Sequence, residues 1–170
     1  NAIRSGLDSD IIALSGGVSK GKHDLVREVL DSLGMETLFH GIRAKPGKPA
    51  LVGRLEDTLV FGLPGNPVST YVMSVLLLFP AVRTLAGLRD PRTRMFEARL
   101  RGELPAATGR TSFHAATLAA GPGGGAEVRP VAWNGSGDLT GYAAGNCLVR
   151  MDMEAGAARD GDPVKVLLCG

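Results

Sequence analysis

Cysteines and aromatic side chains are scarce in this chain of 170 residues. Only Cys147 and Cys169 carry thiols, and aromatics make up 5%. Two cysteines build no disulfide framework, and no CxxC spacing offers a metal site. Both lie in separate apolar segments and read as reduced strand residues, which leads us to expect a cytoplasmic protein. Basic runs are missing as well. The 19 lysines and arginines are scattered among 17 acidic residues, giving a formal net charge of +2, so a nucleic-acid surface is not indicated. The longest apolar stretch, from Tyr71 to Val82, runs for 12 residues and contains Pro80. That is shorter than a bilayer crossing requires, and Asn1 to Ser5 holds no apolar signal core. The reading is therefore of a chain with neither nucleic-acid nor membrane partners.

Glycine is abundant, at 24 residues, with 10 prolines, and their placement divides the chain. The length suits one large or two small domains. Up to residue 89, strand and helix signals alternate. Ile11 to Leu14 form a short apolar run of the buried-strand type, broken by Gly16-Gly17. Leu25, Val26, Val29, Leu30 and Leu33 fall at helical spacing, with Gly34 as the stop. Residues 35–39, 50–55 and 58–63 read as strands. The last of these delivers the chain to Pro64-Gly65, after which Asn66 is placed as an N-cap and Pro67 as the first residue of a helix. That helix is predicted to run to about Leu85, with a kink at Pro80. Strand, glycine turn, helix, strand is the grammar of a parallel α/β sheet, in which ligands sit at the carboxyl ends of strands.

From residue 90 the pattern changes to short strands, at 95–101, 112–118, 127–131, 147–152 and 164–168, separated by glycine-rich turns. This predicts a small all-β barrel or sandwich over residues 90–170.

Several motifs carry chemistry. Gly16-Gly17-Val18-Ser19-Lys20-Gly21-Lys22-His23 nearly spells a Walker A loop, but His23 stands where a hydroxyl must hold magnesium, and no later strand supplies the second metal-binding aspartate. A phosphate-binding backbone nest and a simple tight turn both remain open for Gly16-Gly17. Lys45 and Lys48 flank a rigid Pro46-Gly47 turn, which lowers the ordering cost of holding two ammonium groups on one anion. Asp24 reads either as an N-cap or as a ligand for a divalent ion. His23, His40 and His114 lack metal-ligand spacing and read as ordinary half-buried histidines. Arg110 reads either as a bidentate oxyanion clamp or as an exposed turn residue.

Together, Ser15-Gly16-Gly17-Val18-Ser19, Gly21 and Asp24, Lys45-Pro46-Gly47-Lys48-Pro49 and Gly62-Leu63-Pro64-Gly65-Asn66-Pro67-Val68-Ser69 resemble the molybdopterin molybdenumtransferases, the family of the bacterial MoeA proteins and the gephyrin E domains. Gly109-Arg110, Gly135-Ser136-Gly137 and 144–148 resemble its C-terminal β domain. The resemblance implies a partial three-layer molybdopterin-binding α/β domain followed by a β-barrel. It implies insertion of molybdate into adenylylated molybdopterin with help from Mg2+, in a homodimeric full-length protein that has a molybdopterin adenylyltransferase as pathway partner. By position, Gly16, Gly17, Val18, Ser19, Gly65 and Asn66 would face molybdopterin. Asp24, tentatively also a metal ligand, Pro64 and Pro67 would shape the catalytic cleft. Lys45, Lys48, Ser69, Arg110 and Ser136 would form an oxyanion surface where the two domains meet. Lys20 departs from the valine that many members carry. The Thr-Gly-Asp-Glu strand that opens the family's domain is not in the sequence, so the chain reads as the C-terminal portion of a longer enzyme. The alternative reading is a non-catalytic molybdopterin- or oxyanion-binding or scaffolding module. An isolated chain of this kind, with an unpaired sheet edge, is expected to be unstable or partner-dependent.

Overall fold

The computed structural model describes residues 2–18, 25–135 and 137–169. The chain divides into two compact units. The first comprises residues 1–42 and 47–88, the second residues 43–46 and 89–170.

The first unit opens with a short helix, α1 (Ala2–Ser5), and contains strands β1 (Ile11–Ser15), β2 (Glu36–His40), β4 (Leu51–Leu55) and β5 (Thr58–Leu63). They form one sheet in the order β1-β5-β4-β2. Burial along the strands follows this order. In the interior strand β5, five of the six residues are buried, whereas the edge strands β1 and β2 are largely half-buried or exposed. A continuous apolar run is what a strand covered on both faces requires.

The parallel-sheet expectation holds for β1 and β5, which run parallel with Ile11 opposite Leu59 and Ser15 opposite Leu63. It is corrected for the other pairs, since β4 is antiparallel to both β5 and β2. The cause is local. Leu55 pairs with Thr58, so Glu56 and Asp57 alone form the turn, with Glu56 at φ 56°. A two-residue hairpin forces adjacent strands to run antiparallel.

The core beside this sheet gathers Val18, Leu30, Met35, Leu51, Leu55 and Val60. Leu30 belongs to helix α2 (Leu25–Ser32). After β5 the chain enters a helical run made of α3 (Pro67–Met73), a π-helical segment (Ser74–Leu78) and α4 (Phe79–Leu85). The π segment lies just before Pro80, and Phe79 N–H bonds the Ser74 carbonyl five residues back. The hydrogen-bond register shifts where proline provides no N–H. The run Pro67–Leu85 spans 19 residues at mean hydropathy 1.6, long and apolar enough by length and composition to cross a bilayer. This corrects the estimate made from residues 71–82 alone. Its first half is a core helix, with Val68, Val72, Met73 and Val75 buried.

The second unit is a closed barrel of β6 (Met95–Leu100), β7 (Thr111–Ala120), β8 (Ala126–Pro130), β9 (Cys147–Met151) and β10 (Pro163–Leu168). Closure depends on the length of β7. Its first half pairs with β9 and its second with β8, and Ala116 faces partners on both. Leu100, Ala116, Val128, Cys147, Val149 and Val166 fill the interior. A sixth strand, β3 (Ala44–Lys45), adds to β7 in parallel. The strands predicted from the sequence match β6 to β10 to within about two residues. The second unit also takes up residues 43–46, which the sequence had placed with the first 89. Cys147 lies in β9 and is buried, which pushes its thiol up to about 12.

Candidate functional site

Parallel pairing of β1 and β5 has a direct consequence, because both strands end on the same side of the sheet. Gly16 follows Ser15, and its N–H donates to the Leu63 carbonyl at 2.9 Å. The Pro64-Gly65 turn therefore lies alongside the Gly16-Gly17 turn. A Cβ built on Gly65 would stand 3.4 Å from the Cα of Gly16. Gly16 and Gly17 have φ of 87° and 67°, the left-handed region that glycine enters without a steric penalty. Among the described residues no side chain stands between the two backbone turns, which thus form one bare surface at the carboxyl ends of two strands, where ligands bind in sheets of this kind.

Each turn is anchored. Val18 is buried in the core, with its side chain against Gly62, and its carbonyl accepts a hydrogen bond from His40 Nε2 at 3.1 Å. Arg27 bonds His40 Nδ1 at 2.5 Å, so His40 is the ordinary half-buried histidine expected of it. On the other turn, Thr70 Oγ1 donates to the carbonyl of buried Pro64 and lies 3.2 Å from the Asn66 carbonyl. Asn66 stands at the N-cap with extended backbone, as predicted, but its side chain makes no capping hydrogen bond to the helix. Pro67 takes the first helical position and is exposed, whereas Ser69 is buried.

The lysine turn also packs on this helix. Gly47, at φ 111°, is buried, and a Cβ there would lie 2.5 Å from Met73 Cε and 2.8 Å from its Cγ. Lys48 follows, exposed, with its carbonyl accepting from Ile42 N–H at 2.9 Å. The structure therefore brings Gly16, Gly17, Pro64 and Gly65 together, and seats Gly47, the neighbour of Lys48, on the helix that Pro67 opens. Ser19 and Asp24 lie outside the described residues.

Lys45 belongs to the second unit through β3, opposite Ser112 of β7. The expected oxyanion residues are thus divided, Lys48 and Ser69 in the first unit, Lys45 and Arg110 in the second. Ser136 lies outside the described residues. Half-buried Arg110 immediately precedes Thr111, which pairs with Ala44.

Near Lys45 stand residues that the sequence reading did not join to it. His114 Nε2 lies 2.9 Å from Ser112 Oγ. Burial, then the Lys45 ammonium, holds the imidazole below its ordinary pKa. Trp133 meets Tyr142 edge-on, 5.0 Å between ring centres at 88°, and Tyr142 Oη donates to the Phe113 carbonyl at 2.9 Å. Asp138 closes the following loop by accepting from Asn134 N–H and Gly141 N–H, at 2.9 and 2.8 Å. These bonds pull its carboxyl below the usual range. The alternation of Ser112 and His114 on one strand was the signal available in the sequence.

Among the described residues, no three His, Cys, Asp or Glu side chains come together. These residues do not fit a divalent-cation site.

Comparison with known proteins bears on both units. A family model described as "Probable molybdopterin binding domain" matches residues 1–84, and one described as "MoeA C-terminal region (domain IV)" matches residues 97–169. A Molybdopterin molybdenumtransferase of Haemophilus influenzae is 33% identical over 93% of this chain and 39% of its own length. One of Staphylococcus aureus is 30% identical over 94% of the chain and 38% of its own length. The chain thus spans well under half the length of these relatives. A crystal structure of the molybdopterin biosynthesis MoeA protein from Pyrococcus horikosii superposes with a TM-score of 0.78 at 28% identity, covering 99% of this chain and 39% of that one. The chain belongs to the MoeA family of molybdopterin molybdenumtransferases.

Proposed function

We propose that this chain is the C-terminal part of an enzyme of molybdenum cofactor biosynthesis, and that it holds molybdopterin on the paired turns of its first unit. The observation that carries this reading is the contact of Gly16 with Gly65. The main chain at Gly17, also at positive φ, suits a phosphate-bearing ligand, and the first turn of the helix opened by Pro67 adds favourable dipole at the same end. Among the described residues no side chain intrudes, so a flat pterin can approach the main chain. Pro64 and Pro67 fix the turn, while Val18 sets the loop from below.

In this reading the substrate is adenylylated molybdopterin, and the second substrate, molybdate, is drawn by the exposed Lys48 of the same unit. A tetrahedral dianion is well matched by an ammonium donor. The described residues offer Mg2+ no ligand set. Asp24 and carboxylates elsewhere in a longer protein are its proposed ligands. A homodimer, a cytoplasmic location and a molybdopterin adenylyltransferase supplying the substrate complete the proposal.

Calorimetric titration of the chain with molybdate, followed by an assay of molybdate-dependent cofactor formation by the longer protein with and without Lys48→Ala, tests it. A fall in activity of roughly tenfold at limiting molybdate, restored at high molybdate, is expected. Unchanged activity removes Lys48 from the site, and binding without turnover in the longer protein favours a non-catalytic module.

A further inference from the structure

A pocket of about 40 Å³ opens on the barrel unit between Lys45, Pro105, Thr108, Ser112, His114 and Trp133. One water needs roughly 10–15 Å³ on this scale, so the space suits about three waters or one compact tetrahedral anion. Its floor is polar and built in. Ser112 is only 6% exposed, and its hydroxyl lies 2.9 Å from His114 Nε2. Ser112 and His114 are two residues apart on β7, on the face that carries Ala116 into the barrel core, so strand geometry places them together. Parallel pairing with β3 then sets Lys45 opposite Ser112. The contact of Trp133 with Tyr142, itself tied to Phe113, fixes the far wall.

Facing His114 are Lys45 from β3, Ser112 on its own strand, Val149 opposite on β9, the uncharged loop 105–108, and Trp133. Lys45 supplies the charge among them. With the pocket empty, burial and then the neighbouring ammonium disfavour a second cation, so the neutral imidazole is favoured. Ser112 O–H then donates to an unprotonated Nε2. A dianion in the pocket offsets Lys45 and favours the imidazolium. Once Nε2 carries a proton it donates to Ser112 Oγ, which releases the serine hydroxyl hydrogen to point at the anion.

We propose that this pocket takes a compact tetrahedral oxyanion, and that His114 is its positioning residue, gaining a proton as the anion enters and turning the Ser112 hydroxyl onto it. The identity of that anion as molybdate rests on the function proposed above; the pocket and its proton uptake do not. Binding therefore tightens as pH falls through the His114 titration, a dependence a merely structural histidine would not give.

Imidazole nitrogen NMR on the full chain tests this directly, with sodium molybdate and sodium sulfate as probes. The His114 midpoint is expected to rise by roughly one pH unit or more at saturating anion. Lys45→Met should raise the midpoint without any anion and weaken anion binding at least tenfold. Calorimetry in two buffers of different ionisation heat should show proton uptake near pH 7 for the unaltered chain and none for His114→Asn. A midpoint that stays put while calorimetry shows the anion bound overturns the proposal and leaves the proposed function standing. Absence of binding by both anions between pH 6 and 8 also overturns it. A response to both anions in a chain that fails to bind molybdopterin upholds the pocket and counts against the function reading instead.

Discussion

The ligand surfaces proposed for the two units differ in character. In the α/β unit, Gly16-Gly17 and Pro64-Gly65 meet as bare main chain, and shape decides what fits. In the barrel, Lys45, Ser112 and His114 meet as side chains, and charge decides. The cause lies in the strands. Parallel β1 and β5 bring two glycine turns to one edge, while the parallel addition of β3 to β7 brings a lysine to a serine and a histidine. The same kind of pairing thus yields a bare main-chain surface in one unit and a polar pocket in the other. Steric sites respond to added atoms and are insensitive to pH; electrostatic sites respond to pH and salt.

The comparison can be broken most sharply at Gly47. Replacing it with valine puts a β-branched residue at φ 111° against Met73. Backbone strain and overpacking together should destabilise the first unit by about 3 kcal/mol. Urea unfolding should show a lower midpoint, part of which Met73→Ala restores by relieving the packing component. No recovery in the double variant would mean that backbone strain alone accounts for the loss.

A smaller loss is expected at Tyr142, whose hydroxyl is the anchor of the barrel pocket. Tyr142→Phe removes the hydrogen bond to the Phe113 carbonyl, a change of about 1 kcal/mol. Trp133 is the chain's one tryptophan, so its fluorescence reports the pocket wall locally. A red shift without much change in far-ultraviolet circular dichroism is the expected outcome, and an unaltered spectrum would separate Tyr142 from the pocket.

The gentlest effect is a pH dependence confined to the barrel. His114 binds its proton less readily in the folded chain than in the unfolded one. The unfolded state therefore takes up more protons as pH drops, and stability, full above the ordinary histidine value near 6.5, declines as pH falls below it until the folded group also titrates. His114→Asn should flatten the slope of stability below about pH 6.5. An identical slope in the variant would assign it to other groups.

The sequence made the order of elements legible, because apolar runs bounded by glycine and proline mark β1, α2, β5 and the barrel strands without help from distant residues. Pairing direction was less visible. The β4–β5 turn is Glu56-Asp57, which lacks the glycine or asparagine that usually announces a two-residue hairpin. Strand β3 is two residues long and finds its partner at Thr111 and Ser112, far along the chain. Local patterning cannot foresee such a strand, so Lys45 and Lys48 read as one turn within one domain. For the candidate site, both glycine turns stood out because only glycine and proline meet their backbone demands. His114 did not, since its significance depends on Lys45 and on Trp133, which the fold supplies. The resemblance put Ser69 on an oxyanion surface, and the helix buries it.

Gly65 offers the most direct test of the central claim that the paired turns hold molybdopterin. A Cβ there lies 3.4 Å from the Gly16 Cα, so Gly65→Val fills the space between the turns. Equilibrium titration of the chain with molybdopterin should give saturable binding that this variant weakens by more than tenfold, with a melting temperature within a few degrees of the unaltered chain. A Gly65→Val chain that binds molybdopterin as tightly as the original would place the ligand elsewhere and contradict the account.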